Sequence, residues 1–324
     1  KEMTSGSPMK LILGFSIPLL FGNLFQQFYS MVDTMIVGRV LGTGPLAAVG
    51  STGSITFLII GFCLGLCSGF AIPVAQRFGS RDYKELRRFI GNAVWLCVGF
   101  GFVLTVLTVI FCRNILEFMD TPADIIDDAY AYLVVIFAGI PATFLYNMLA
   151  GIQRAIGDSR TPVVILVIAS IINIVLDVVL VVFIPMGVAG AAVATVASQL
   201  IGGVVCLLYV SKHYEVLKMT REDFKINVPC IKRLLSMGLP MALQTSITAI
   251  GSVILQASVN SLGSTVVASI TAGSRLYMFF ACAYDAMGVT MSTYSGQNIG
   301  ARKIDRIGQG VKACNIVGII YSVL

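Results

Sequence analysis

Charge is scarce in this chain: Asp, Glu, Lys and Arg make up 12% of its 324 residues, about half the share of an ordinary soluble domain. Hydrophobic residues make up 57% and the mean hydropathy is +0.90, so a soluble fold is excluded and a membrane chain expected. Histidine is nearly missing as well. His213 is the sole one, which leaves a histidine-based metal or catalytic centre without ligands. A membrane β-barrel needs strands of about 10 residues that alternate apolar and polar, and such segments are lacking. The apolar runs are instead long enough for helices, which need about 20 residues to cross a bilayer.

What is present fits that picture. Six of the eight cysteines (Cys63, Cys67, Cys97, Cys206, Cys282 and Cys314) sit in apolar runs and read as small packing residues rather than disulfides or metal ligands. Spans are expected at about 10–38, 45–76, 87–112, 124–153, 161–185, 187–211, 232–260, 265–297 and from 307 onward. That makes eight full helices and one incomplete one. The stretch 9–37 is too long and too polar for a cleavable signal peptide. Residues 212–231 form the one longer polar linker, and its charges read as a solvated loop rather than a nucleic-acid surface.

Basic residues orient the chain. Nineteen of the 22 Lys and Arg residues lie in the amino-terminal tail or at even-numbered connections; Arg39 and Arg113 lie in odd ones and Arg275 inside a span. Retention of basic loops on the cytoplasmic side places the amino terminus inside.

The chain also repeats itself. Gln76, Gly79 and Arg81 match Gln297, Gly300 and Arg302 at one offset of 221 residues, as Leu41-Gly42 matches Leu262-Gly263. Ile17-Pro18-Leu19 matches Leu239-Pro240-Met241 one residue further on. Six spans per unit, an even number, makes the copies parallel, with a substrate site between two lobes. The expected fold is therefore an all-α polytopic membrane protein of two parallel six-helix repeats: 1–211 as the first lobe, 212–231 as a cytoplasmic linker, and 232–324 as an incomplete second lobe. A finished repeat would run to about 440 residues, so about three helices are expected beyond Leu324.

Ionisable residues at membrane depth are costly and mark function by default. Here they are Asp33, Asp177, Arg275 and Asp285. With a rise of about 1.5 Å per residue, Asp33, Tyr132, Asp177 and Thr195 all fall roughly 8–12 Å below the outer surface. Tyr29 and Asn173 each precede an aspartate by four residues and so share its helix face. The first span also carries Asn23, Gln26, Gln27 and Ser30, a stripe unsuited to lipid. A buried carboxylate can take a proton from one side of the membrane and release it to the other. The same oxygens suit a hard cation such as Na⁺, and the sequence does not choose between the two. Arg275 and Asp285 lie about 15 Å apart along one helix and are open to a place in the cleft.

At this point the chain resembles the multidrug and toxic compound extrusion (MATE) family. The residues that carry the likeness are "PLLFGNLFQQFYSMVDTMIVGRVLG" from Pro18, "AIGDSRTP" from Ala155, "NIVLD" from Asn173, "GAAVAT" from Gly190 and "GQNIGARK" from Gly296. The likeness covers nearly the whole chain and is nearest the prokaryotic DinF-like branch. It implies a non-enzymatic antiporter of the prokaryotic inner membrane, twelve helices in two lobes. Such a protein exports organic, often cationic and amphipathic, small molecules in exchange for H⁺ or Na⁺. It would need no cofactor, have no nucleic-acid partner, sit among lipids, and act as a monomer. Carried over residue by residue, Asp33, Asn173, Asp177 and Thr195 match the family's cation site, Tyr29 and Tyr132 its neighbouring tyrosines, and Pro18 a bend in helix 1. Gln26, Gln27, Arg275 and Asp285 remain candidates for the cleft. Another branch carries a glutamate in helix 7, where this chain has no acid, so coupling is expected in the first lobe. Two rivals stand beside this reading. A lipid or oligosaccharide flippase would line its cleft with several basic residues. An intramembrane enzyme would need a nucleophile and base at one depth.

Overall fold

The computed structural model describes residues 2–260 and 264–323; within them, the side chains of residues 253, 256–260, 264–269, 271–272 and 275–276 lie outside the description. The chain forms α1 (Pro8–Val40), α2 (Thr43–Ser51), α3 (Gly53–Gly79), α4 (Tyr83–Ile110), α5 (Cys112–Phe118), α6 (Ile126–Ala138) and α7 (Ile140–Ala155). It continues with α8 (Arg160–Asp177), a π-helical turn (Val178–Phe183), α9 (Val188–His213), a 3₁₀ turn (Glu215–Leu217), α10 (Val228–Asn260), α11 (Ser264–Gly300) and α12 (Ile304–Val323). No strand occurs among the described residues. Six helices are long and apolar enough to span a bilayer, and α6 with α7 makes a seventh span bent by 46°. The chain is a multi-pass membrane protein.

Three expectations need correction. The second span is not one helix: it breaks at Thr52 into α2 and α3. The fourth bends at Gly139, where Pro141 in the first turn of α7 lacks the N–H that would continue the ladder of α6. The linker is only partly solvated. Asp223 is buried against Arg87, whose Nε lies 3.5 Å away, and Trp95 Nε1 and Asn92 Nδ2 donate to the carbonyls of Phe224 and Lys225. Buried polar backbone needs such partners, so the linker lies as a strap across α4.

The repeat is visible as symmetric geometry. α3 ends with Arg81 in the left-handed region at φ 58°, and α11 ends with Arg302 at the same φ. Each closes its helix with the same pair of bonds, Arg81 N to Phe78 O and Asp82 N to Arg77 O, then Arg302 N to Ile299 O and Lys303 N to Asn298 O. The two helices also cross reciprocally. A Cβ on Gly79 would stand 1.9 Å from the carbonyl oxygen of Gln297, and one on Gly300 would stand 1.8 Å from that of Gln76. The Leu262-Gly263 half of the repeat lies outside the described residues. Higher in α3, Gly65 and Gly69 let the backbone of α10 approach at Ala242 and Gly238, the small-residue contact that joins helices where no hydrophobic drive exists. The eight cysteines are free, and seven are buried as packing residues.

The crossing end is tied to the amino-terminal segment. Met3 N donates to Gln297 Oε1 at 2.8 Å, Asn298 Nδ2 to Met3 O at 3.2 Å, and Lys303 Nζ to Thr4 O at 2.8 Å. Nearby, Asp158 in the α7–α8 turn accepts from the backbone N–H groups of Arg160 and Thr161 and from the Tyr214 hydroxyl. Burial opposes ionisation of Asp158, but these hydrogen bonds outweigh it and hold the carboxyl below its ordinary value. The stabilisation is complete above the unfolded pKa of about 3.9 and is lost as pH falls through the lower folded value.

Two expectations follow for stability. Gly79→Ala and Gly300→Ala each place a methyl group into backbone and should lower the melting temperature in detergent by similar amounts, corresponding to about 1–3 kcal/mol or more. Gly99→Ala, with nothing within 4 Å, should not; equal melting of all three would refute the crossing. Asp158→Asn should melt below wild type at pH 7, and scans from pH 7 to 3 should bring the two curves together.

Candidate functional site

The polar stripe of α1 and the Asn173–Asp177 face of α8 meet inside the first half of the chain. Asp33 and Asp177 lie within hydrogen-bonding reach of one another, although 144 positions separate them in sequence. Tyr29 lies beside Gln26 and both aspartates, and Tyr132 beside Asp33, Tyr29 and Asp177. Asn173 Nδ2 donates to Thr195 Oγ1 at 3.5 Å, while Thr195 Oγ1 donates to Ala191 O at 3.1 Å. Six residues from α1, α6, α8 and α9 thus form one cluster. Asp177 is fully buried and Asn173 nearly so.

The acceptors of this cluster outnumber the donors that reach them. Asp33 Oδ1, Asn173 Oδ1 and both carboxylate oxygens of Asp177 are buried without a hydrogen-bond partner. Buried acceptors are nearly always satisfied, so four orphans in one place need an explanation. Two unit charges about 4 Å apart repel by about 4 kcal/mol even at an effective dielectric of 20. A proton shared between the carboxyls, or a cation among the oxygens, would relieve both problems. Among the described residues no group of three or more His, Cys, Asp and Glu could hold a metal; two carboxylates with neutral oxygens suit a single positive charge.

Local structure supports the placement. Asn173 and Asp177 are four residues apart on α8, and the π-helical turn begins at Val178, directly after Asp177. Such widened turns are frequent at functional sites. The sequence reading treated 161–185 as one regular helix and missed this turn.

Two adjoining cavities lead away from the pocket. One, about 190 Å³, is lined by Tyr29, Asn173, Ser170, Thr143 and Gln199 among others; Thr143 Oγ1 donates to Gln199 Oε1 at 2.7 Å. The next, about 220 Å³, shares Gln26, Tyr146 and Asn147 with it and reaches Asn23, Arg154 and Ala286. The second cavity therefore touches α1, α3, α7, α8 and α11. Thr143, Asn147, Gln199 and Arg154 were not among the expected site residues. Thr143 and Asn147 stand four apart on one helix face, a signal the depth count would have found had it included neutral residues.

The remaining candidates scatter. Gln26 lines both cavities. Gln27 approaches Cys282 of α11, and Asp285, one turn further along that helix, is exposed. The side chain of Arg275 lies outside the described residues. Pro18 lies inside α1, which runs unbroken through it.

This combination, a helical membrane bundle with a buried acid pair whose neighbours Tyr29 and Asn173 line an interior polar cavity, defines a transporter-like fold. The MatE family profile matches residues 18–179 and 240–324, and the chain belongs to that family. It is 30% identical over 305 residues to the probable multidrug resistance protein YoeA of Bacillus subtilis, covering 92% of this chain and 66% of that protein. It is 27% identical over 331 residues to DNA damage-inducible protein F of Escherichia coli, covering 97% and 70%. The crystal structure of MATE in the straight conformation superposes with a TM-score of 0.92 at 25% identity, over 99% of this chain and 72% of that one. The chain spans about two thirds of the length of the relatives it matches.

If the orphaned oxygens are the defining feature, Asp177→Asn should stabilise the empty protein, because it removes one charge and brings a donor to the remaining acceptors. The expected gain is about 1–3 kcal/mol, read as a higher melting temperature at pH 8 without sodium. A variant that melts below wild type would mean the pocket already satisfies its oxygens.

Proposed function

We propose that the protein is a cation-coupled antiporter that exports organic, amphipathic small molecules across a prokaryotic inner membrane, with its amino terminus in the cytoplasm. The observation that carries this reading is the pair Asp33 and Asp177, which with Asn173 holds four buried oxygens that no donor reaches. Such a pocket alternates between an empty, strained state and a state holding H⁺ or Na⁺. A ligand shifts a two-state protein only by its differential affinity for the two states, and a pocket this short of donors has a large differential for positive charge. Asn173 and Thr195 would complete a cation's oxygen shell, and Tyr29 and Tyr132 would close it from solvent. Pro18, which removes a backbone bond from α1, provides the point at which that helix yields when Asp33 changes charge.

Family membership supports the transport class, since relatives are named as multidrug resistance proteins. The flippase alternative calls for several basic residues in the cleft. The cavity's described lining has one, Arg154, among amides and hydroxyls, which favours the antiporter.

The test is drug efflux from proteoliposomes under separately imposed pH and sodium gradients. One gradient should drive efflux, and the matching ion should raise the melting temperature of wild type but not of Asp177→Asn. An inserted, folded Asp177→Asn protein that still extrudes drug against a gradient would sink the proposal.

A further inference from the structure

Arg154 sits in the last turn of α7, next to the basic α7–α8 connection, where an arginine would normally face water. It lines the 220 Å³ cavity instead. The reason is directional: side chains of an α-helix lean back toward its amino terminus, and for α7 that direction leads into the bundle. The guanidinium lies over Gly151, with Nη2 3.9 Å from the point where a Cβ would stand. The groups near enough to sense its charge are the Tyr146 hydroxyl and the thiols of Cys67 and Cys206. Among the described residues no carboxylate pairs with it, and no hydrogen bond from its guanidinium is formed.

An arginine without a counter-ion inside a membrane bundle is costly. Its planar fork is built to bind a carboxylate or phosphate through two parallel bonds, and the cavity beside it carries further hydrogen-bonding groups on Asn23, Gln26 and Asn147. From Arg154 the lining continues through Asn147 and Gln26 to Tyr29 and Asn173, so the unpaired guanidinium and the orphaned oxygen of Asn173 mark the two ends of one polar tract. We infer that Arg154 is the binding residue for an anionic group, carboxylate or phosphate, on the organic molecule that occupies this cavity. This deepens the transport reading by naming a charge class: the cargo includes acidic or zwitterionic amphiphiles, not cations alone.

The test is a charge series on a constant fluorophore: dansylglycine, its methyl ester and dansylcadaverine, titrated into the purified full-length protein in a neutral detergent. Dansylglycine should bind about tenfold more tightly than the ester. Arg154→Gln should remove that preference, bringing acid and ester to equal affinity, and Arg154→Lys should retain part of it. The wild-type series stands without any variant, which guards against misfolding of Arg154→Gln. A lipid arm separates the sources of the anion: displacement of dansylglycine by phosphatidylglycerol assigns the site to a headgroup, and resistance to it assigns the site to a soluble cargo. Both keep Arg154 as the partner. Equal affinity across the series, or a preference unchanged in Arg154→Gln, overturns the inference. Because binding is read without an ion gradient, that failure is distinct from loss of coupling in Asp177→Asn.

Discussion

Two carboxylates facing each other without donors set the conditions for the rest of the structure. Asp33 and Asp177 come from α1 and α8, and nothing within the described pocket compensates their charge. A fold that stable proteins normally avoid is held here by the packing around it. α8 leans on α9, where Asn173 reaches Thr195, and the bent α6–α7 span brings Tyr132 against the pair. The surrounding helices fix a geometry that the acids alone would push apart, and a single positive charge removes the conflict.

The halves of the molecule are joined where that conflict is absent. At the far end, α3 and α11 cross through Gly79 and Gly300 with reciprocal contacts, and Met3, Thr4 and the turn after α11 bind each other there. A symmetric contact of this kind has a limited number of well-packed arrangements, because its backbones touch with no side chain between them. Closely packed surfaces of that sort switch rather than deform. The cavity is walled by α3 and α11 as well as by α1, α7 and α8, so its width depends on how those helices cross.

Much of this was legible in residues. Apolar runs located the spans, because a bilayer admits only helices with internally satisfied backbone among non-barrel folds. The 221-residue register matches the paired turns at Arg81 and Arg302, and a count of depth along each span sets Tyr29, Asp33, Tyr132, Asn173, Asp177 and Thr195 close to one level. Other features left no trace that periodicity reads. The break at Thr52 and the π-helical turn after Asp177 occur inside continuous apolar sequence, where tertiary packing decides. Arg154 was counted with the loop charges because position along the chain gives the depth of a Cα, not that of a guanidinium several bonds away. Asp223 was taken for a solvated charge because its partner Arg87 is 136 positions distant.

Antagonism between ion and cargo follows from the layout if both change the same helices. Coupling between two sites is a free energy, and it is reciprocal: an ion that weakens cargo binding is weakened by cargo to the same factor. Here the shared element is α1. It carries Asp33 in the acid pocket and Asn23 and Gln26 in the cavity, with Tyr29 between them lining the adjoining space. In the proposed cycle, a charge change at Asp33 that bent α1 at Pro18 would move the cavity wall, and cargo seated against that wall would resist the bend. No longer pathway is required, because Asn23, Gln26, Tyr29 and Asp33 lie on one helix within about 15 Å of rise, so the acid cluster and the cavity share one rigid segment.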